Sequence, residues 1–479
     1  MRRLILFVFA LTGVFPNPSK AQDQFDSIRD SIRTKMQDRR VPSIAVAVAQ
    51  GDKILWQQGF GWADRERHIP ADENTMYSLA SISKPLTATA LMTLVSAGKI
   101  DLDRPINDYL GTAKLHARVG NAQDATVRRV ANHTSGLPEY FQFFYENESW
   151  RAPSMNETVR RFGNLVTAPG EHFQYSNLGF GLLADVIARV SGKSYPDYMR
   201  QEVFLKLGMT RSAVGIDPAL REFEATRYDG EDITPIVHYS TDHPGASEIY
   251  SSAHDMALFG MFSLKEHLPN QVPILSDAWI DEMQRPTAAS GSRTGYGVGW
   301  EVNTAYGPTI VSHSGGMPGV ATWLRLVPSQ KLVIVVLCNE DDRLTAKMRW
   351  ERSAYSSLVA MATMHSTSTG NSRCIASRGP GVPSAKPKPW RTCACQRTTR
   401  RCEIAKIIQL RRADTPSTWE VAITSKMACL VSAGSQVPAI GPTNPHSFFF
   451  ARWSVRPPGR RARVPFPAGP PSASRRPRR

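Results

Sequence analysis

Apolar residues recur at helical spacing through 25–41, where Phe25, Ile28, Ile32 and Met36 share one side and charged residues fill the other. That predicts an amphipathic helix. The period then shortens to two. "SIAVAVAQ" alternates over 44–49, a Gln50-Gly51-Asp52 turn follows, and a second run covers 53–61, which together read as a β-hairpin. The stretch 77–102, "YSLASISKPLTATALMTLVSAGKIDL", predicts a helix of about four turns stopped by Gly98. From about 103 to 290 loops alternate with helices. The clearest is "SNLGFGLLADVIARVSG", with Leu178, Leu182, Ile187 and Val190 on one side and Gly192 as terminator. Ser252 and Asp255 suit a capping box for the helix "SAHDMALFGMFSL". Beyond 290 short β-branched runs return: "PTIVSHSG", "VATWLRLVP" and "KLVIVVLCN", the last two joined across Pro328-Ser329-Gln330. A helix over about 342–364 is expected to close the ordered part. Strands at both ends of the sequence with helices between them predict an α/β fold of the α+β type: an antiparallel sheet flanked by helices, with a largely helical subdomain.

Composition divides the chain. Two arginines, an apolar run over 4–15 and small residues at Ser19 and Ala21 predict an export signal, residues 1–21, cleaved after Ala21. The run is short for a membrane span, and no other segment has about 18 apolar residues in a row. A periplasmic or secreted, monomeric protein is the expectation. The net charge of +16 suggests a nucleic-acid binder until it is located. Residues 1–365 hold 37 Lys+Arg against 39 Asp+Glu, whereas 366–479 hold 21 against 3. The latter segment also carries 15 of the 34 prolines and five of the six cysteines. A disordered basic tail over 366–479 is expected, of a composition that a shifted reading frame would also produce. The folded domain should lie in 22–365, and no nucleic-acid partner is expected.

Two serines have a lysine three residues on: Ser81 with Lys84, and Ser96 with Lys99. On a helix such a pair shares a face, with about 5–6 Å between Cβ atoms, and serine becomes a useful nucleophile once something takes its proton. Position separates the two. Ser81 begins its helix, where free N–H groups favour a developing oxyanion; Ser96 lies in the last turn and Lys99 beyond Gly98, so the second pair is a solvated decoy. A lysine with an ordinary pKa of about 10.4 is almost wholly protonated at pH 7. Lowering that value to near neutrality costs about 4 kcal/mol, which burial and a polar partner must supply. A phenol is a natural partner. Tyr-x-Asn occurs twice, at Tyr145-Glu146-Asn147 and Tyr175-Ser176-Asn177. The first lies in an acidic, aromatic loop; the second opens a helix, where a side chain can be aimed into a cleft.

"SLASISKPLTA", "NHTSGLP", "PGEHFQYSNLGFGLLADVI", "GYGVGW" and "HSGGMPG" occur in that order. Together they resemble the serine β-lactamase and penicillin-binding protein family, in its class C-like branch with DD-peptidases, D-amino-acid amidases and family VIII esterases. The resemblance covers about residues 25–365. It implies an acyl-enzyme hydrolase with Ser81 as nucleophile, Lys84 as base or proton relay, and Tyr175 as general base and acid. It implies that Asn177 orients Lys84 and binds the substrate amide, that His313 and Ser314 face the substrate, and that Gly315 permits close backbone approach. The backbone N–H groups of Ser81 and Gly316 would form the oxyanion hole, where one donor is typically worth about 3–4 kcal/mol. The substrate would be a small molecule or peptide: a β-lactam, a D-amino-acid peptide or an ester.

One departure bears on that choice. Class C β-lactamases usually carry Lys-Thr-Gly where this chain has His313-Ser314-Gly315, so an imidazole that is mostly neutral at pH 7 replaces a permanent cation. Efficient β-lactam hydrolysis is thereby put in question, while acyl transfer is not. A carboxylesterase, or a penicillin-binding protein that acylates with little turnover, are the alternatives. His133 reads as a loop hydrogen-bonder and Cys338 as a core residue; Tyr296 and Trp300 either border the cleft or pack on the sheet. No cofactor is expected, and the eleven histidines form no HxxxH spacing that would hold a metal. The absence of GxSxG argues against an α/β-hydrolase elbow.

Overall fold

The alternation in "SIAVAVAQ" sorts residues by size as well as by face. Strand β1 (Ser43–Gln50) turns Ile44, Val46 and Val48 to one side, where they join Phe25, Ile28, Ile32, Trp56 and Phe60. Phe25, Ile28 and Ile32 come from the amphipathic helix α1 (Asp26–Arg39) and its cap, and Phe25 stacks on Trp56 at 5.0 Å. On the other side Ala45, Ala47 and Ala49 belong to the main core. Small residues there let a helix approach closely.

In this computed structural model residues 25–340 are described apart from 216, 231 and 306, together with Arg411–Arg412 and Trp419–Glu420. The chain forms two units, Met1–Ala376 and Ser377–Arg479. Of the second, the described part is an antiparallel pair of two-residue strands. The expected leader over 1–21 and the helix over 342–364 lie outside the described residues, as does nearly all of the tail.

In the first unit, β1 and β2 (Lys53–Asp64) form the expected hairpin, with β3 (Ile69–Pro70) at its outer edge. Strands β4 (Ala288–Ala289), β5 (Thr294–Tyr296), β6 (Glu301–Asn303), β7 (Ile310–Met317), β8 (Val320–Val327) and β9 (Leu332–Cys338) complete a nine-stranded sheet. Its order is β4-β5-β6-β7-β8-β9-β1-β2-β3, antiparallel throughout. The first and last of these strands in chain order, β1 and β9, therefore lie side by side within the sheet, with Ile44 opposite Cys338.

Three helices build the other layer. α2 (Ser83–Ser96) is buried continuously from Ser83 to Met92 and is a core helix rather than a surface one. α3 (Asn177–Ser191) packs against it, and α4 (Ala253–Ser263) lies on β1 and β9. The sequence-based capping box at α4 is half realised. Ser252 Oγ accepts the Asp255 N–H at 3.1 Å, but the Asp255 carboxylate turns away to Arg211 N and Ser212 Oγ. Among the described residues no helix is long and apolar enough to cross a membrane.

Candidate active site

Ser81 lies in a 3-10 turn, Ala80–Ile82, that leads directly into α2. Ala80 before it takes a left-handed backbone with φ 47°, a strained conformation of the kind that persists where surrounding structure enforces it. The enforcing neighbour is β7. A side-chain carbon at Gly315 would overlap Leu79 O and Thr322 Oγ1 and come within 3.1 Å of Ala80 Cβ. Thr322 Oγ1 donates to Leu79 O at 2.8 Å, tying β8 to the same peptide. The sheet is thus pressed against the segment that presents Ser81, and glycine at 315 makes the approach possible.

One helical turn on, Lys84 is 0% exposed. Its Nζ lies 3.0 Å from Ser81 Oγ, 2.8 Å from Asn177 Oδ1 and 3.2 Å from Ala246 O. It also stands 4.6 Å from the centre of the Tyr175 ring. Burial pushes its pKa well below the ordinary lysine value, and no carboxylate among the described residues offsets that cost. A neutral amine has two hydrogens and one lone pair. Asn177 Oδ1 and Ala246 O can only accept, so the amine donates to both, and in the neutral form its lone pair would face the Ser81 hydroxyl.

Tyr175 precedes Ser176, whose Oγ caps α3 by accepting the Gly179 N–H at 3.3 Å. The Tyr175 ring lies beside the Lys84 amine, and burial raises the pKa of the phenol above the ordinary tyrosine value. It remains a protonated phenol. Asn177, the first residue of α3, is buried; its Oδ1 accepts from Lys84 and its Nδ2 donates to Tyr140 O at 2.9 Å. It is placed to orient the lysine, with its amide largely consumed in doing so.

His313 departs from expectation. Burial alternates along β7 so that His313 and Gly315 turn inward while Ser314 and Gly316 are exposed. The imidazole turns inward, its ring centre 6.4 Å from that of Tyr175: Nδ1 donates to Ser314 O at 2.7 Å, which leaves Nε2 to accept from Tyr296 Oη at 2.8 Å. Desolvation, with a smaller push from nearby Lys84, lowers its pKa to about 3. It is neutral at any working pH, and both nitrogens are taken. Ser314 and Gly316 are the residues of this strand that open outward.

The second Ser-Lys pair separates as expected. Ser96 and Lys99 are exposed, and Ser96 Oγ donates to Thr93 O at 3.0 Å. Tyr145 and its neighbours lie in a short strand, Phe143–Tyr145, with Glu146 and Asn147 exposed. Trp300 is a core residue stacked on Phe259 at 5.9 Å, whereas Tyr296 contacts His313. Two groups that complete the lysine's surroundings, the carbonyls of Ala246 and Tyr140, were not foreseen; a backbone acceptor leaves no mark in a sequence.

The Beta-lactamase family model matches residues 28–357. The chain is 29% identical to "Penicillin-binding protein 4*" of Bacillus subtilis over 325 residues, covering 62% of this chain and 68% of that one. It is 24% identical to "Protein flp" of Staphylococcus aureus, covering 68% and 65%. It thus spans about two thirds of the length of these relatives. Among solved structures, an octameric penicillin-binding protein homologue from Pyrococcus abyssi is similar with a TM-score of 0.57 at 26% identity, covering 65% of this chain and 73% of that one. A class C β-lactamase shares the fold with a TM-score of 0.61 at 19% identity, covering 72% and 97%.

Proposed function

Because the chain belongs to the β-lactamase family, we propose that it is an exported serine hydrolase that cleaves uncharged amides and esters through an acyl-enzyme on Ser81. One observation carries the reading: a buried amine without a counter-ion stands 3.0 Å from a half-buried hydroxyl at the tip of a core helix. Lys84 takes the proton as Ser81 Oγ bonds to the substrate carbonyl carbon. The carbonyl oxygen becomes an oxyanion held by the N–H groups of Ser81 and Gly316. As the intermediate collapses, Tyr175 gives its proton to the departing nitrogen or oxygen and is reprotonated by Lys84. Water enters by the reverse sequence, losing a proton to the same couple and releasing the acid.

The substrate class follows from charge. A neutral, buried His313 offers no cation to a substrate carboxylate, which favours uncharged leaving groups over β-lactams and C-terminal D-amino acids. Nitrocefin, p-nitrophenyl butyrate, a D-alanine amide and a D-Ala-D-Ala peptide, assayed side by side, test it. The ester and the amide should show the higher kcat/KM; faster turnover of nitrocefin or the peptide would overturn the assignment. A second reading, a penicillin-binding protein with little turnover, is favoured by the names of the relatives. Stoichiometric labelling by a fluorescent penicillin, with no hydrolysis of the ester or amide, would select it.

A further inference from the structure

His133 holds Tyr175 from both sides. Its carbonyl accepts the Gln174 N–H at 2.7 Å, its Nδ1 accepts the Ser176 N–H at 3.1 Å, and its ring centre lies 4.4 Å from that of Tyr175. The residue is 1% exposed and has a left-handed backbone with φ 64°, which aims carbonyl and ring at the same strip of chain. Because Nδ1 accepts, the neutral ring carries its hydrogen on Nε2, and that buried atom has no hydrogen-bond partner. An unpaired buried N–H opposes folding, so a ring present only to fill space would be better replaced by an apolar one. The polar work this imidazole does is done on Ser176. Its far edge meets Tyr296 at 4.7 Å between ring centres, and Tyr296 in turn holds His313.

We propose that His133 is a positioning residue for proton transfer: by clamping the peptide groups on either side of Tyr175, it fixes the phenol against Ser81. The proposal rests on Tyr175 acting as the acid in the reaction above. It fits the scale of the chemistry, since a misplacement of about 1 Å can cost about 100-fold in rate.

Four variants test it, each first shown to be folded by near-UV circular dichroism. His133→Gly keeps the left-handed backbone but removes the acceptor; His133→Asn restores an acceptor oxygen and also tolerates that backbone. The others are Tyr175→Phe and the double variant His133→Gly/Tyr175→Phe. His133→Gly should lower kcat by about 30–100-fold with KM little changed, and His133→Asn should recover most of the loss. In the Tyr175→Phe background His133→Gly should have almost no further effect, as expected for a residue that acts through the phenol. Wild-type kcat in His133→Gly, an equal loss in both backgrounds, or a folded His133→Asn far below wild type would each overturn it. If His133→Gly does not fold, the His133→Asn arm still decides. Wild-type turnover by Tyr175→Phe would instead remove the assignment of Tyr175 itself, which separates the two failures.

Discussion

Lys84 is a lysine on a helix that is buried on every side, and its three oxygen neighbours carry no charge. The same Ser-x-x-Lys spacing at 96–99 lies in water and does nothing comparable. What distinguishes them is desolvation, which lowers the pKa of Lys84. The sign of the pH dependence follows. The active form is the neutral amine, so kcat/KM should fall as pH drops through the lowered pKa of Lys84 and hold steady above it. Tyr175, raised above its ordinary value, should add no loss until beyond about pH 10. Lys84→Arg keeps a cation that cannot release its proton. It should lower kcat/KM by about 100-fold to 10,000-fold, the usual worth of a general base, and should not be rescued by raising the pH. A pH–rate profile of the two proteins checks both points; a wild-type profile that rises only through the ordinary lysine range, or a Lys84→Arg profile that recovers at high pH, would contradict them.

At the scale of elements, β7 has two distinct faces: Ser314 and Gly316 are exposed on one, and on the other Gly315 lets the sheet press on the turn that carries Ser81. Gly315→Val should therefore lower both Tm and kcat/KM, the latter by at least about 100-fold, since the strand must move away from Leu79 to make room. Thermal melts and ester hydrolysis read the two effects together. The hairpin, α1, α2, α3, β8 and β9 were legible in the sequence because each has a sustained apolar run or period, or a glycine stop. So were Ser81, Lys84, Tyr175 and Asn177, which the fold brings together around one amine. The facing of His313 was not. Ser312, His313 and Ser314 are polar in succession, so the period-two signal that would assign inward and outward positions vanishes where it was needed. The half-formed capping box at Ser252 has a similar cause: spacing names the pair, but Asp255 finds better donors in Arg211 and Ser212.

For the whole molecule, the family match and the sheet with its helices fall before the basic segment begins, and the positive charge falls after. A chain ending at residue 365 should hydrolyse the same substrates with the same kcat/KM; a loss of activity on truncation would give the basic segment a part in the enzyme. The most direct test of the chemistry also reads the intact chain. Acid-quenched during turnover of p-nitrophenyl butyrate, the protein should gain the mass of one butyryl group, carried on the peptide that contains Ser81 and missing from Ser81→Ala. Acylation at another residue, or undiminished turnover by Ser81→Ala, would contradict the mechanism.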